Sequence, residues 1–265
     1  MKRAPDSLAD FINEVPESEK TLLVVNRTTA DPLIDLLNDA FSNQSVTIAE
    51  RQVPDGADDL VCLIDDGHVV ATSSFEQLRN SFLLVNVDQY RTGVQARHPG
   101  RFPDVLTGLT ETEFTVAGFP ASTKEKLLLV MISRFIEQLA LTTGQGELHS
   151  TFQQLSRLDD EYGTRRMYEW LGDSGTETHV YGVDDNPEAV TDIDVVVHSG
   201  DTEPYGRSWV VAFSPETDGT HSPVDTEPTH AALVAIEIGP NVWRGLWTYD
   251  SPRVERILSH IDQEF

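Results

Sequence analysis

From His179 onward the chain reads in period two. His179–Val183, Ile193–His198, Trp209–Ser214, Ala231–Ile238 and Val242–Tyr249 are short apolar or alternating runs, and Gly-, Pro- and Asp-rich turns separate them. Five such segments with no helical stretch between them predict an antiparallel sheet, because parallel neighbours need a long crossover connection. Ser251 with Pro252 then caps a closing helix through Ile257, Leu258 and Ile261. The expectation is that this helix and those preceding the sheet pack on one of its faces.

The segment before the sheet is helical in pattern. Pro120 and the capping box Ser122-x-x-Glu125 start the longest helix, Lys124 to about Leu141, which Gly144 and Gly146 end. Leu127–Ile132, Phe135, Ile136, Leu139, Ala140 and Leu141 make it apolar almost all round, so it belongs in an interior. A second helix is expected over Leu148–Leu158, with Leu148, Phe152, Leu155 and Leu158 on one face, and a third over Thr164–Leu171. Upstream, Ser7-x-x-Asp10 caps a short helix, Thr21–Val25 and Val46–Glu50 read as strands, and Asp31-Pro32 starts a helix to Phe41. Asp65-Asp66-Gly67 turns a hairpin between Leu60–Ile64 and His68–Thr72, and Ser73-x-x-Glu76 opens another helix. The fold class is therefore α+β: an amino-terminal mixed α/β unit over residues 1–120 and a carboxy-terminal unit over 121–265, divided near Phe119–Thr123. The loops Asp184–Asp192 and Pro215–Thr229 are the expected flexible segments.

Charge narrows the function classes. Forty-four acidic residues against nineteen basic give a net charge of -25, which repels phosphate backbones and anionic lipid. Nucleic-acid binding is not expected. Lysine is nearly absent (Lys2, Lys20, Lys124 and Lys126), and the carboxylates are dispersed rather than gathered in a tail. A protein adapted to molar salt has this balance, since screening over a few ångströms cancels the self-repulsion. The setting expected is a salt-rich archaeal cytoplasm. One cysteine, Cys62, permits no internal disulfide. No run approaches 18 apolar residues and no apolar stretch follows Met1-Lys2-Arg3, so neither membrane insertion nor export is expected.

Chemical signatures are few. The chain has no GxxxxGK[ST], HExxH or GxSxG, and Gly144-Gln145-Gly146 does not complete GxGxxG. Asp65-Asp66 has a turn reading ahead of a phospho-receiver reading, and Cys62 falls in a buried strand, as an inert thiol would. Eight histidines show no ligand spacing, so neither catalytic residues nor a metal site is expected. Two stripes stand out. Arg134 sits on the enclosed helix with Glu137 three residues on, where a buried charge must be paired. His149, Gln153, Ser156 and Arg157 would share one face of the next helix. They read either as a structural pair and a solvated stripe, or as a pocket in which Arg134, Glu137, Gln153 and Arg157 hold a small polar ligand.

Over the same residues the chain resembles the DICT sensory domain. The resemblance rests on Ser133-Arg134-Phe135-Ile136-Glu137, Gly144-Gln145-Gly146-Glu147-Leu148, Phe152-Gln153-Gln154-Leu155-Ser156-Arg157-Leu158 and Gly163-Thr164 through Tyr168 and Leu171 to His179-Val180-Tyr181-Gly182. The ending Gly245-Leu246-Trp247-Thr248-Tyr249-Asp250 adds to it. It implies a non-enzymatic sensory module of signal transduction, found alongside diguanylate cyclases and two-component kinases, with a light or small-ligand response. No cofactor is named by it. With no kinase, cyclase, GAF or helix-turn-helix partner in the chain, the output would pass through a separate signalling protein. Two alternatives remain at this stage: a structural interaction module without ligand, and an enzyme of unrecognised type built on Arg134, Glu137, His149 and Arg157.

Overall fold

A computed structural model of the chain describes residues 7–16, 19–28, 34, 35, 38, 46–86, 103–117, 127–159, 163–216 and 229–265. The division expected near Phe119–Thr123, the capping box at Ser122 and most of the loop Pro215–Thr229 lie outside the described residues. So does most of the helix expected from Asp31, of which Ile34, Asp35 and Asn38 are helical. The chain is mixed α and β, and its contacts gather into two units. The first comprises Met1–Glu14, Ile132–Glu237 and Trp247–Phe265, and the second Val15–Met131 and Ile238–Leu246.

In the second unit β1 (Lys20–Val25) lies parallel to β2 (Val46–Arg51) and antiparallel to β3 (Leu60–Asp65), which pairs with β4 (His68–Ser74). The strand order is β2-β1-β3-β4. Asp66 and Gly67, at φ 48° and 78°, make the tight turn of the β3–β4 hairpin. Ser74 and Gln77 cap α2 (Phe75–Asn86), one residue later than the expected Ser73/Glu76 pair. Ser73 instead accepts the Val105 N–H of α3 (Asp104–Thr107) at 3.2 Å. Lys20 is buried at the start of β1 and donates to the Thr110 carbonyl at 2.6 Å and Thr112 Oγ1 at 3.1 Å. Burial lowers its pKa, and Asp65 and Glu111 oppose the shift. Arg244 of β11 (Val242–Thr248) grips both carboxylate oxygens of Glu113 on β5 (Thr112–Ala117), at 2.6 and 3.1 Å.

The first unit opens with α1 (Leu8–Asn13), where the Asp10 carboxylate accepts the Ser7 N–H. α4 (Leu127–Thr143) supplies its enclosed helix, with nothing exposed from Leu128 to Leu141. Gly144 at φ 69° then ends the helix, and the chain departs from expectation. Gln145–Gln154 is a strand, β6, and only Leu155–Asp159 coils, as a 3₁₀ turn. The sheet of this unit has the order β10-β9-β6-β7-β8, built from β7 (Gly175–Val183), β8 (Val196–Ser199), β9 (Ser208–Ser214) and β10 (Ala231–Gly239). β9 runs antiparallel to β6 and β10, but β6, β7 and β8 are parallel to one another. The sheet is thus mixed rather than antiparallel, because α5 (Thr164–Gly172) is a crossover between β6 and β7, not a helix preceding the sheet.

Helices also cover both faces, not one. On one face Trp209 Nε1 of β9 donates to Ser133 Oγ of α4 at 3.0 Å, and Phe152 of β6 meets Tyr168 of α5 edge-on at 5.2 Å. On the other, Phe265, which follows α7 (Ser251–Glu264), packs edge-on against Tyr181 of β7 at 5.4 Å. Asp250 rather than Ser251 caps α7, accepting the Arg253 N–H at 3.0 Å. α6 (Glu203–Arg207) brings Tyr205 against the same Phe265 ring, at 4.9 Å.

Candidate functional site

β6 is buried on both faces, and it carries polar residues inward: His149, Ser150, Thr151 and Gln153 are all buried. A buried polar side chain must find a partner or it costs free energy. Two clusters form on opposite faces.

On the α4 face Arg134 Nη1 donates to Glu137 Oε2 at 2.6 Å and Nη2 to Thr164 Oγ1 at 2.7 Å. The Tyr168 hydroxyl donates to Glu137 Oε1 at 3.2 Å. Arg134 and Glu137 side chains are 11% and 4% exposed, so the pair is enclosed and bonded through both carboxylate oxygens. Burial, then the Glu137 charge, raises the Tyr168 pKa well above its ordinary value, so the phenol keeps its proton and serves as a donor.

Gln153 and Arg157 form a separate pair. Arg157 Nη1 donates to Gln153 Oε1, and Gln153 Nε2 donates to the Ser208 carbonyl on β9. Gln153 takes φ 53°, where the β6–β7 register shifts between Thr151 and Gln154. Its side chain fills the bulge from inside the sheet, not from a helical stripe. The residues expected to line one pocket therefore stand as two couples, Arg134 with Glu137 and Gln153 with Arg157.

The other cluster joins His149, expected on a helical stripe, to His179, Tyr181 and His198, to which the sequence reading gave no chemical role. Parallel register places His149 beside His179 and Tyr181 beside His198. Side chains aligned in a parallel ladder share a face, so four rings stack there. His149 and His179 lie 4.5 Å apart at 9°, and Tyr181 and His198 4.4 Å apart at 10°. His149 Nδ1 stands 2.8 Å from the Tyr181 hydroxyl, and His179 Nδ1 stands 3.0 Å from His198 Nε2. Carboxylates rim the array. Glu147 is 3.9 Å from His149 Nε2, Glu177 is 3.3 Å from His179 Nε2, and Asp262 of α7 is 3.8 Å from His149 Nδ1.

The rim is exposed and the centre is not: Glu147, Glu177 and Asp262 side chains are 58%, 63% and 59% exposed, against 3% for His149. Burial, then the charges of His179 and His198, pushes the His149 pKa down to about 3, so this ring stays neutral at ordinary pH. His198 is lowered too, by burial and then His179, with Asp262 opposing. Tyr181 is raised by burial and then by Asp262. Among the described residues no group of three or more His, Cys, Asp and Glu side chains stands where it could hold a metal ion.

A third arrangement bears on catalysis. Ser251 Oγ is 3.1 Å from His230 Nδ1, and His230 Nε2 is 3.6 Å from Glu255 Oε1. The grouping has the residue types of a hydrolytic triad. However, Asp250 holds its carboxylate over the same helix start, at 3.0 Å from the Arg253 N–H, where a developing oxyanion would be repelled. Cys62 is buried, and burial raises its thiol pKa, which suits an inert thiol.

No family model matches the chain, and no curated protein matches it. One solved structure, described as a polyphosphate kinase from Porphyromonas gingivalis, aligns with 97% of this chain and 44% of its own. The chain thus spans less than half of that protein, at 6% identity and a TM-score of 0.28, a level of likeness that carries no argument about fold or activity.

Proposed function

We propose that this chain is a sensory or adaptor protein of the DICT kind, working without catalysis in a salt-rich archaeal cytoplasm and passing its signal to a separate protein. The observation that carries the reading is the stack of His149, His179, Tyr181 and His198 in the parallel part of the sheet, with His149 and Tyr181 buried, His179 and His198 half-buried, and the end of α7 touching it. A core assembled only for stability gains little from three imidazoles, whose desolvation is costly. Placed against a terminal helix, the same rings make a device whose state that helix can report. The motif residues Arg134 and Glu137 are saturated by one another, Thr164 and Tyr168, which favours a packing role for that part of the resemblance over ligand contact.

The test is a comparison of two tagged chains, wild type and His179→Phe, purified from a halophilic archaeal host in molar KCl and identified with their companions by mass spectrometry. A defined signalling protein retained by one and released by the other supports the proposal. Identical companions, or none with either chain, refute it. An absorption band beyond the aromatic region in the wild-type preparation would assign the input to light.

A further inference from the structure

We infer that the four-ring array is a proton switch whose moving part is the carboxy-terminal turn of α7. The inference rests on the sensory reading only for its biological use, since the switch itself is a property of the isolated chain.

The argument starts from proton counting. Each neutral imidazole carries one N–H, and two ring nitrogens 3.0 Å apart share a single proton. The carboxylates choose the direction. If the Tyr181 hydroxyl donates to His149 Nδ1, then His149 Nε2 bears the hydrogen and faces Glu147. If His198 Nε2 donates to His179 Nδ1, then His179 Nε2 bears the hydrogen and donates toward Glu177 at 3.3 Å. The reverse order would set a bare His179 lone pair against Glu177, the shortest of these approaches, while at His149 Glu147 and Asp262 stand almost equally far from the two ring nitrogens, so this assignment is the lower in energy. It leaves one basic nitrogen in the array without a proton to accept: Nδ1 of His198.

The next proton therefore goes to His198. Groups facing the array come from every element against it: Glu147 and His149 on β6, Glu177, His179 and Tyr181 on β7, Tyr205 on α6 and Asp262 on α7. Of these, Asp262 favours a charged His198 and His179 disfavours it. Once charged, His198 lies over the Tyr181 face at 4.4 Å, and Tyr181 in turn holds the edge of Phe265. Burial outweighs Asp262 here, so the cation is better hydrated with the rings parted, and parting them releases the edge of Phe265. Mild acid therefore loosens the end of α7, and neutral pH tightens it.

The experiment follows the three histidine Cε1–H resonances by NMR from pH 8 to pH 4.5 in molar KCl, with amide exchange protection of Leu258–Glu264 measured at the two ends. Expected are titration of His198 before His149, a lower His198 midpoint in Asp262→Asn, and a several-fold loss of α7 protection on acidification that His198→Phe abolishes. Asp262 is exposed, so its variant tests the coupling even if the core variant fails to fold. Independent titration of the three rings, a His198 midpoint indifferent to Asp262→Asn, or α7 protection that does not change with pH would overturn the switch. A failed partner capture would leave these results standing, so the two proposals fall separately.

Discussion

Replacing Arg134 with alanine removes two hydrogen bonds and leaves the Glu137 carboxylate, 4% exposed, facing the Tyr168 hydroxyl without its countercharge. A buried pair broken from one side costs about 3–5 kcal/mol, most of it the uncompensated charge left behind. Glu137→Leu should cost about as much for the mirror reason. The double variant Arg134→Met/Glu137→Leu removes both charges and refills the space, at the cost of the hydrogen bonds to Thr164 and Tyr168, about 1–3 kcal/mol together. The double variant should therefore be more stable than either single one. Guanidinium unfolding followed by tryptophan fluorescence, at fixed molar KCl, measures the wild type, Arg134→Met, Glu137→Leu and the double variant as the four corners of a cycle, with Arg134→Ala beside them. Because the pair is enclosed, added KCl should leave the coupling unchanged, unlike the exposed pair Arg256–Glu14. A cost below about 1 kcal/mol for Arg134→Ala, or a double variant equal to the sum of the singles, would show that Arg134 is not held by Glu137.

His149 predicts a pH dependence. Its folded pKa of about 3 lies below the unfolded value near 6.5, so the unfolded chain binds the extra proton and stability falls as pH drops below 6.5, by about 2 kcal/mol at pH 5. His149→Gln should lack that component in denaturation midpoints taken at pH 7.5 and pH 5, and an identical slope in both chains would contradict it. With a net charge of -25, the thermal midpoint should climb steeply between dilute buffer and molar KCl, and an unchanged midpoint would sink the salt-adapted reading. Gly146 sits at φ 115°, and a Cβ there would lie 2.3 Å from the Ser214 carbonyl oxygen, so Gly146→Ala should destabilise by about 3 kcal/mol or more, read as a lower denaturation midpoint.

Sequence pattern was a good guide wherever one face of an element is wet or a turn residue is forced. The β3–β4 hairpin, the α5 span and the closing helix stand close to where periodicity puts them. It failed at β6. Leu148, Phe152, Leu155 and Leu158 recur at helical spacing, while the strand that holds the first two is buried on both sides and so shows no alternation. Reading that segment as a helix turned a mixed sheet into an antiparallel one and sent Gln153 to the surface. It also hid the ring stack. Glu147-Leu148-His149 and Glu177-Thr178-His179 repeat one pattern, and in-register parallel strands bring the two copies side by side. The repeat was visible in the sequence, but it means nothing until both copies are known to be strands. The Arg134–Glu137 pairing was legible because a three-residue helical spacing needs no tertiary information.

Cys62 is the chain's sole cysteine, and it lies on β3, an inner strand of the second unit's sheet. Its thiol is shielded until those strands part, so the rate at which a thiol reagent labels it clocks the opening of that unit and no other. Three of the four tryptophans, Trp170, Trp209 and Trp247, belong to the first unit. The native chain thus carries its own pair of reporters, one chemical and one optical, and comparing their time courses tells whether the two units come apart in one cooperative event or in succession.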